Sequence, residues 1–189
     1  MLPRHCIAFM GTDLLAEGEL LDVVRAVKAA LDGGAAQSIA LLDAATGRPV
    51  DINFSGTEEE VLQRIPRARV PGAGRLKAGV VARDVTLLPR HWEWLDTQPG
   101  GASVALRKLV ELAARNARGA DTMRAARDAA YRFMHELMGD AAGFEEASRA
   151  LFAGDGERFQ ALVADWPVGV RTHLLAVAGP SFGPAATGA

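Results

Sequence analysis

With 189 residues, 49% hydrophobic and 23% charged side chains and a formal charge of −2, the chain can bury a core and is too apolar for a disordered protein. Its single cysteine, Cys6, excludes an intrachain disulfide and fits a reducing cytoplasm. The first residues lack the apolar core of a signal peptide, and no stretch reaches the ~18 apolar residues of a membrane helix, so a soluble cytoplasmic protein is expected.

In chain order, His5 to Met10 is a short apolar strand, followed by turn residues Gly11-Thr12-Asp13 and a returning strand from Leu14 to Gly18. Glu19 to Leu31 carries Leu20, Val23, Val24, Val27, Ala30 and Leu31 at helical spacing, and Asp32-Gly33-Gly34 ends that helix. Ser38 to Leu42 and Val50 to Phe54 read as strands of a hairpin around Ala44-Ala45-Thr46-Gly47. Thr57 with Glu60 makes a capping box for a helix from Glu58 to about Ile65. Residues 1–65 are therefore a small α+β unit.

Residues 66–79 hold prolines, glycines and cations without apolar periodicity, which predicts a flexible basic linker. Val80 to Leu88 is expected to be a strand, and Pro89 opens a short helix through Leu95 with Trp92 and Leu95 on one face. Pro99-Gly100-Gly101 breaks it. Ser103 is expected to cap a second helix to about Asn116, with Leu106, Leu109, Val110 and Ala113 as its buried stripe. Residues 117–178 read as helices: Thr122 to Met138, Phe144 to Ala153, Glu157 to Trp166 and Val168 to Ala178. Residues 179–189 read as a frayed tail. The expected class is α+β: a small strand and helix unit, a strand-helix-helix segment at 80–116, and a helical C-terminal part.

Charge is distributed unevenly. Residues 64–90 carry Arg64, Arg67, Arg69, Arg75, Lys77, Arg83 and Arg90 against one acid, Asp84. That is +6 in a chain of −2, a pattern that points to polyanions and most simply to DNA.

The stretches Gly79 to Leu95 and Gln98 to Val110 resemble a bacterial family, domain-of-unknown-function family 2239. So do Asp128 to Met134, Gly143 to Ala147, Arg149 to Asp155 and the turn Asp43 to Arg48. The family brings no activity with it. Within it, residues 80–116 resemble the ribbon-helix-helix module, whose strands pair between two chains and enter the major groove. That resemblance implies a homodimer that contacts DNA.

In the strand register that buries Val81, Val85 and Leu87, Thr86 faces out and Arg83 snorkels. Arg75 and Lys77 precede the strand as a flexible arm, and Arg90 follows it. Ser103 at a helix N-terminus, with Arg107 and Lys108 a turn later, would meet a phosphate. The alternative is a protein-interaction or scaffold protein, with the basic segment a tether and the C-terminal helices binding a protein partner.

Enzyme motifs are fragmentary. Gly101-Ala102-Ser103-Val104-Ala105 lacks the last glycine of a nucleophile elbow. His135-Glu136 opens a zinc-protease pattern, but Gly139 stands where the second histidine belongs. No catalytic, metal or cofactor residues are assigned, and Trp92, Trp94 and Trp166 are expected to be core residues.

Overall fold

The computed structural model describes residues 2–65 and 83–182. In chain order its elements are β1 (His5–Met10), β2 (Asp13–Glu19), α1 (Leu20–Asp32), β3 (Ile39–Asp43) and α2 (Glu58–Arg64). There follow α3 (Pro89–Asp96), α4 (Ala102–Met138), α5 (Phe144–Ala153), α6 (Gly156–Leu162), α7 (Val168–Ala178) and a 3-10 turn (Gly179–Phe182). The class is α+β. The chain divides into two compact units, Met1–Pro66 with Ala120–Ala189, and Arg67–Gly119.

The first unit is built on an antiparallel sheet of order β2-β1-β3. Side chains alternate along a strand, so β1 sends Cys6 and Ala8 to one face and Ile7 and Phe9 to the other. All four are fully buried, because helices cover both faces. On the first face Leu20, Val23, Val24 and Val27 of α1 pack with Leu41, Val61 and Ile65. On the second, Ile7, Phe9 and Leu42 meet Ala130, Phe133 and Met134 of α4, with Leu151, Phe159 and Leu174 beyond. Phe9 and Phe133 meet edge to face at 5.6 Å. Each buried side chain of this size contributes about 1.5–3 kcal/mol by leaving water. The N-terminal strands and the C-terminal helices thus share their core.

Local signals hold where backbone chemistry is explicit. Thr57 Oγ1 accepts from the Glu60 amide at 3.3 Å while the Glu60 carboxylate accepts from the Thr57 amide at 2.9 Å. The Asp43–Gly47 turn closes with Gly47 N donating to Asp43 O at 2.9 Å.

Four expectations are corrected. Val50 to Phe54 is not a strand: only Leu42 and Pro49 form a bridge, and Val50 N donates to Leu41 O. Pro49 has no amide to extend the ladder, and the carbonyls of Asn53 and Ser55 accept instead from the Arg64 guanidinium. The helix expected to end near Asn116 continues to Met138. The surrounding alanines and arginines favour helix, and one glycine, Gly119, costs only about 1 kcal/mol. The α6 helix spans Gly156–Leu162 rather than Glu157 to Trp166, and Asp155 Oδ1 caps its start by accepting from Arg158 N at 3.0 Å. The segment after Ala178 does not fray at once: Ser181 is buried and donates to Ala178 O, and the Phe182 ring lies tilted 5.5 Å from that of Phe159.

Candidate nucleic-acid interface

The second unit, Arg67–Gly119, holds most of the residues singled out for nucleic acid. It carries ten Lys and Arg against four Asp and Glu, a net +6, whereas the first unit sums to −8. The division by packing therefore coincides with the division by charge.

Arg75 and Lys77 lie outside the described residues, as do positions 80–82 of the expected ribbon. Residues 83–88 form no ladder with the described residues, and the expected strand was to find its partner in a second chain. No described strand of the same chain is hydrogen-bonded to them. Arg83, Thr86 and Val85 are all exposed.

Pro89 then starts α3, where its missing amide costs nothing. Arg90 is exposed on its first turn, and Leu95 is the helix's buried anchor. Trp92 and Trp94 are exposed, Trp94 by 51%, which corrects the expectation that they are core residues; Trp166, in the first unit, is buried. The Gln98 side-chain amide and the Thr97 hydroxyl both donate to Trp94 O and close α3. Gly100 and Gly101 follow at φ 89° and 77°, a left-handed pair that turns the chain into α4.

Ser103 is not the cap. It lies inside α4, whose first amide bonds run from Val104 and Ala105 to Gly101 O. The two glycines make the turn that a capping serine would otherwise make, so the helix starts two residues earlier than expected. Ser103 O accepts from Arg107 Nε at 3.2 Å, and both residues are exposed. The amides of Ala102 and Ser103 precede the helical ladder and have no intrahelical acceptor.

At 3.6 residues per turn, Arg107, Lys108, Arg115 and Arg118 fall within about a third of the α4 circumference, interrupted by Glu111. Leu106, Leu109, Val110, Leu112 and Ala113 occupy the rest. Leu106, Leu109, Val110 and Ala113 of that arc were expected to be buried, yet Leu109 is 44% exposed and Val110 63%. The first half of α4 is therefore an amphipathic helix whose apolar side is left largely uncovered by the described residues.

Arg64, counted with the basic run by sequence, is engaged elsewhere. Its Nη1 donates to Ser55 O at 2.6 Å and to Asn53 O at 3.2 Å in the first unit. His135 sits in an aromatic group, stacked 6.0 Å from Tyr131. Burial, with the Asp43 charge assisting, raises the Cys6 thiol to about 11, which leaves it protonated and unreactive.

The family model described as "Uncharacterized protein conserved in bacteria", domain-of-unknown-function family 2239, matches residues 5–178. Comparison with curated proteins and with solved structures finds no match. Among the described residues, no helix is long and apolar enough to cross a membrane.

Proposed function

The chain belongs to the bacterial domain-of-unknown-function family 2239, and we propose that it is a non-catalytic, cytoplasmic, dimeric DNA-binding regulator. The carrying observation is the second unit's composition. Its +6 charge accompanies exposed Arg83, Arg90, Arg107 and Lys108 and an uncovered apolar arc on α4. Exposed Leu and Val side chains forgo about 1.5–3 kcal/mol each relative to burial, so such an arc favours association. In a ribbon-helix-helix arrangement the missing cover is a second copy, and the segment ending at Leu88 finds its ladder partner there. Arg75 and Lys77 would run along the duplex as an arm, Thr86 would approach base edges, and Ser103 would sit beside a phosphate.

If about six phosphates are neutralised per protomer, log K falls against log salt with a slope near −5. Titration of a random duplex at two salt concentrations tests this. Replacing both Arg75 and Lys77 by alanine should reduce the slope by about 2 per protomer. Binding that is absent at low ionic strength, or insensitive to salt, would remove the reading.

A second reading is favoured by exposed Trp92 and Trp94. Aromatic residues anchor protein interfaces, so the second unit would instead dock a protein partner, with the basic segment as a tether. A chain that is monomeric by solution mass and ignores DNA supports it.

A further inference from the structure

A cavity of about 490 Å³ opens in the first unit, away from every residue assigned above. Its walls come from three parts of the chain that only folding brings together. Leu2 belongs to the N-terminal segment, Asp43 to the end of β3, Arg48 and Val50 to the turn that follows and its exit, and Asp128 and Arg132 to α4. The volume lies in the ordinary range of small-ligand sites.

Asp43 and Arg132 are held in place by contacts that leave some of their capacity unused. Asp43 Oδ1 accepts from the amides of Ala45 at 2.8 Å and Thr46 at 3.2 Å, which leaves Oδ2. Arg132 Nη1 donates to Thr46 O at 3.0 Å and so ties the turn to α4. Its Nη2 lies 4.0 Å from Asp128 Oδ2, the outer limit of an ion pair. Among the described residues, the exposed Arg48 guanidinium makes no hydrogen bond or ion pair. The cavity therefore offers guanidinium donors from two residues and carboxylate acceptors from two others, with apolar wall from Leu2 and Val50.

Charge balance selects the ligand. A simple anion would meet two carboxylates as well as two guanidinium groups, and a simple cation would meet the reverse. A molecule with both charges satisfies both sets. Guanidinium matches carboxylate geometry in a fork that a single ammonium cannot supply. We propose that this cavity binds a small zwitterion of the amino-acid class, its carboxylate on Arg48 and Arg132 and its ammonium on Asp43 and Asp128. The proposal does not depend on DNA binding, and its test contains no DNA.

Calorimetric titration of the full chain with the common α-amino acids and their glycyl dipeptides provides the test. At least one should bind saturably with Kd below ~1 mM. Its N-acetyl and its carboxamide derivatives should each bind roughly 10-fold more weakly or worse, as each loses one charge-assisted contact. Arg48→Ala, at an exposed position that should not disturb folding, and Asp128→Asn should weaken binding similarly, with circular dichroism unchanged. Lack of saturable binding by every member at ~10 mM would overturn the proposal. So would equal binding of the blocked derivatives, or affinity unaffected by Arg48→Ala.

Discussion

At Gly47 the backbone has φ 65°, and a Cβ built there would lie 2.5 Å from Ala129 O and 3.0 Å from Phe133 N. The atoms in the way are helix backbone, which cannot swing aside. Gly47→Ala combines a left-handed conformation costing about 1–2 kcal/mol with that collision. Urea unfolding should show a loss of at least about 2 kcal/mol. The glycine was legible as a turn residue in Asp43-Ala44-Ala45-Thr46-Gly47. Its second constraint was not, because Ala129 is remote in sequence and nothing local announces the docking. His173 supplies a pH-dependent counterpart. Its ring lies 4.7 Å from that of Phe133, and Nδ1 lies 3.8 Å from Glu17 Oε1. Burial lowers its pKa, and the Glu17 charge only partly opposes this. The unfolded chain then binds the proton more readily, with a pKa of about 6.5, so stability rises with pH across this window. The His173 contribution should be complete above pH ~6.5 and lost as pH falls through the lowered folded value. Unfolding midpoints of the wild type and His173→Gln measured across that window check this: the variant should lose less stability on acidification.

At the scale of elements, legibility followed the range of the forces involved. The α2 capping box could be read to the residue, because the Thr57 and Glu60 side chains bond to each other's backbone three residues apart. The strand expected at Val50 to Phe54 had the right apolar alternation: Val50, Ile52 and Phe54 pack on the first face of the sheet. What the alternation could not show is whether β3 has a free ladder to offer, and Pro49 helps to deny it. In α4 the apolar stripe was legible and its burial was not, because periodicity shows that a face is apolar but not what covers it. That distinction yields a prediction. Leu109→Glu combined with Val110→Glu alters side chains already exposed within the chain, so the stability of the separated protomer should change by about 0.5 kcal/mol or less. Sedimentation equilibrium should nonetheless show the double variant shifted from dimer to monomer. A wild type that is monomeric at every accessible concentration would remove the second copy from the proposal.

Across the whole molecule, charge and packing agree on a boundary that chain order obscures. The imbalance was visible as the basic run from Arg64 to Arg90, but packing ends the second unit at Gly119 and joins residues on either side of it into the first. This reassigns individual cations. Arg64, by sequence the first member of the run, is bonded to two carbonyls of the first unit, while Arg107 and Lys108, outside the run, are exposed in the second. A uniform cloud of positive charge would make every arginine of the run equivalent in DNA binding; a surface confined to the second unit would not. Arg64→Ala should therefore leave the salt slope of duplex binding unchanged, while removing hydrogen bonds worth about 0.5–1.5 kcal/mol each from the first unit. Replacing Arg90, Arg107 and Lys108 together by alanine should lower the slope by about 3 per protomer with little effect on stability. Anisotropy titrations over a salt series, paired with urea unfolding of the same variants, separate the two pictures. If Arg64→Ala flattens the slope as much as any single change in the triple variant, the charge acts diffusely and the second unit is not the surface that meets phosphate.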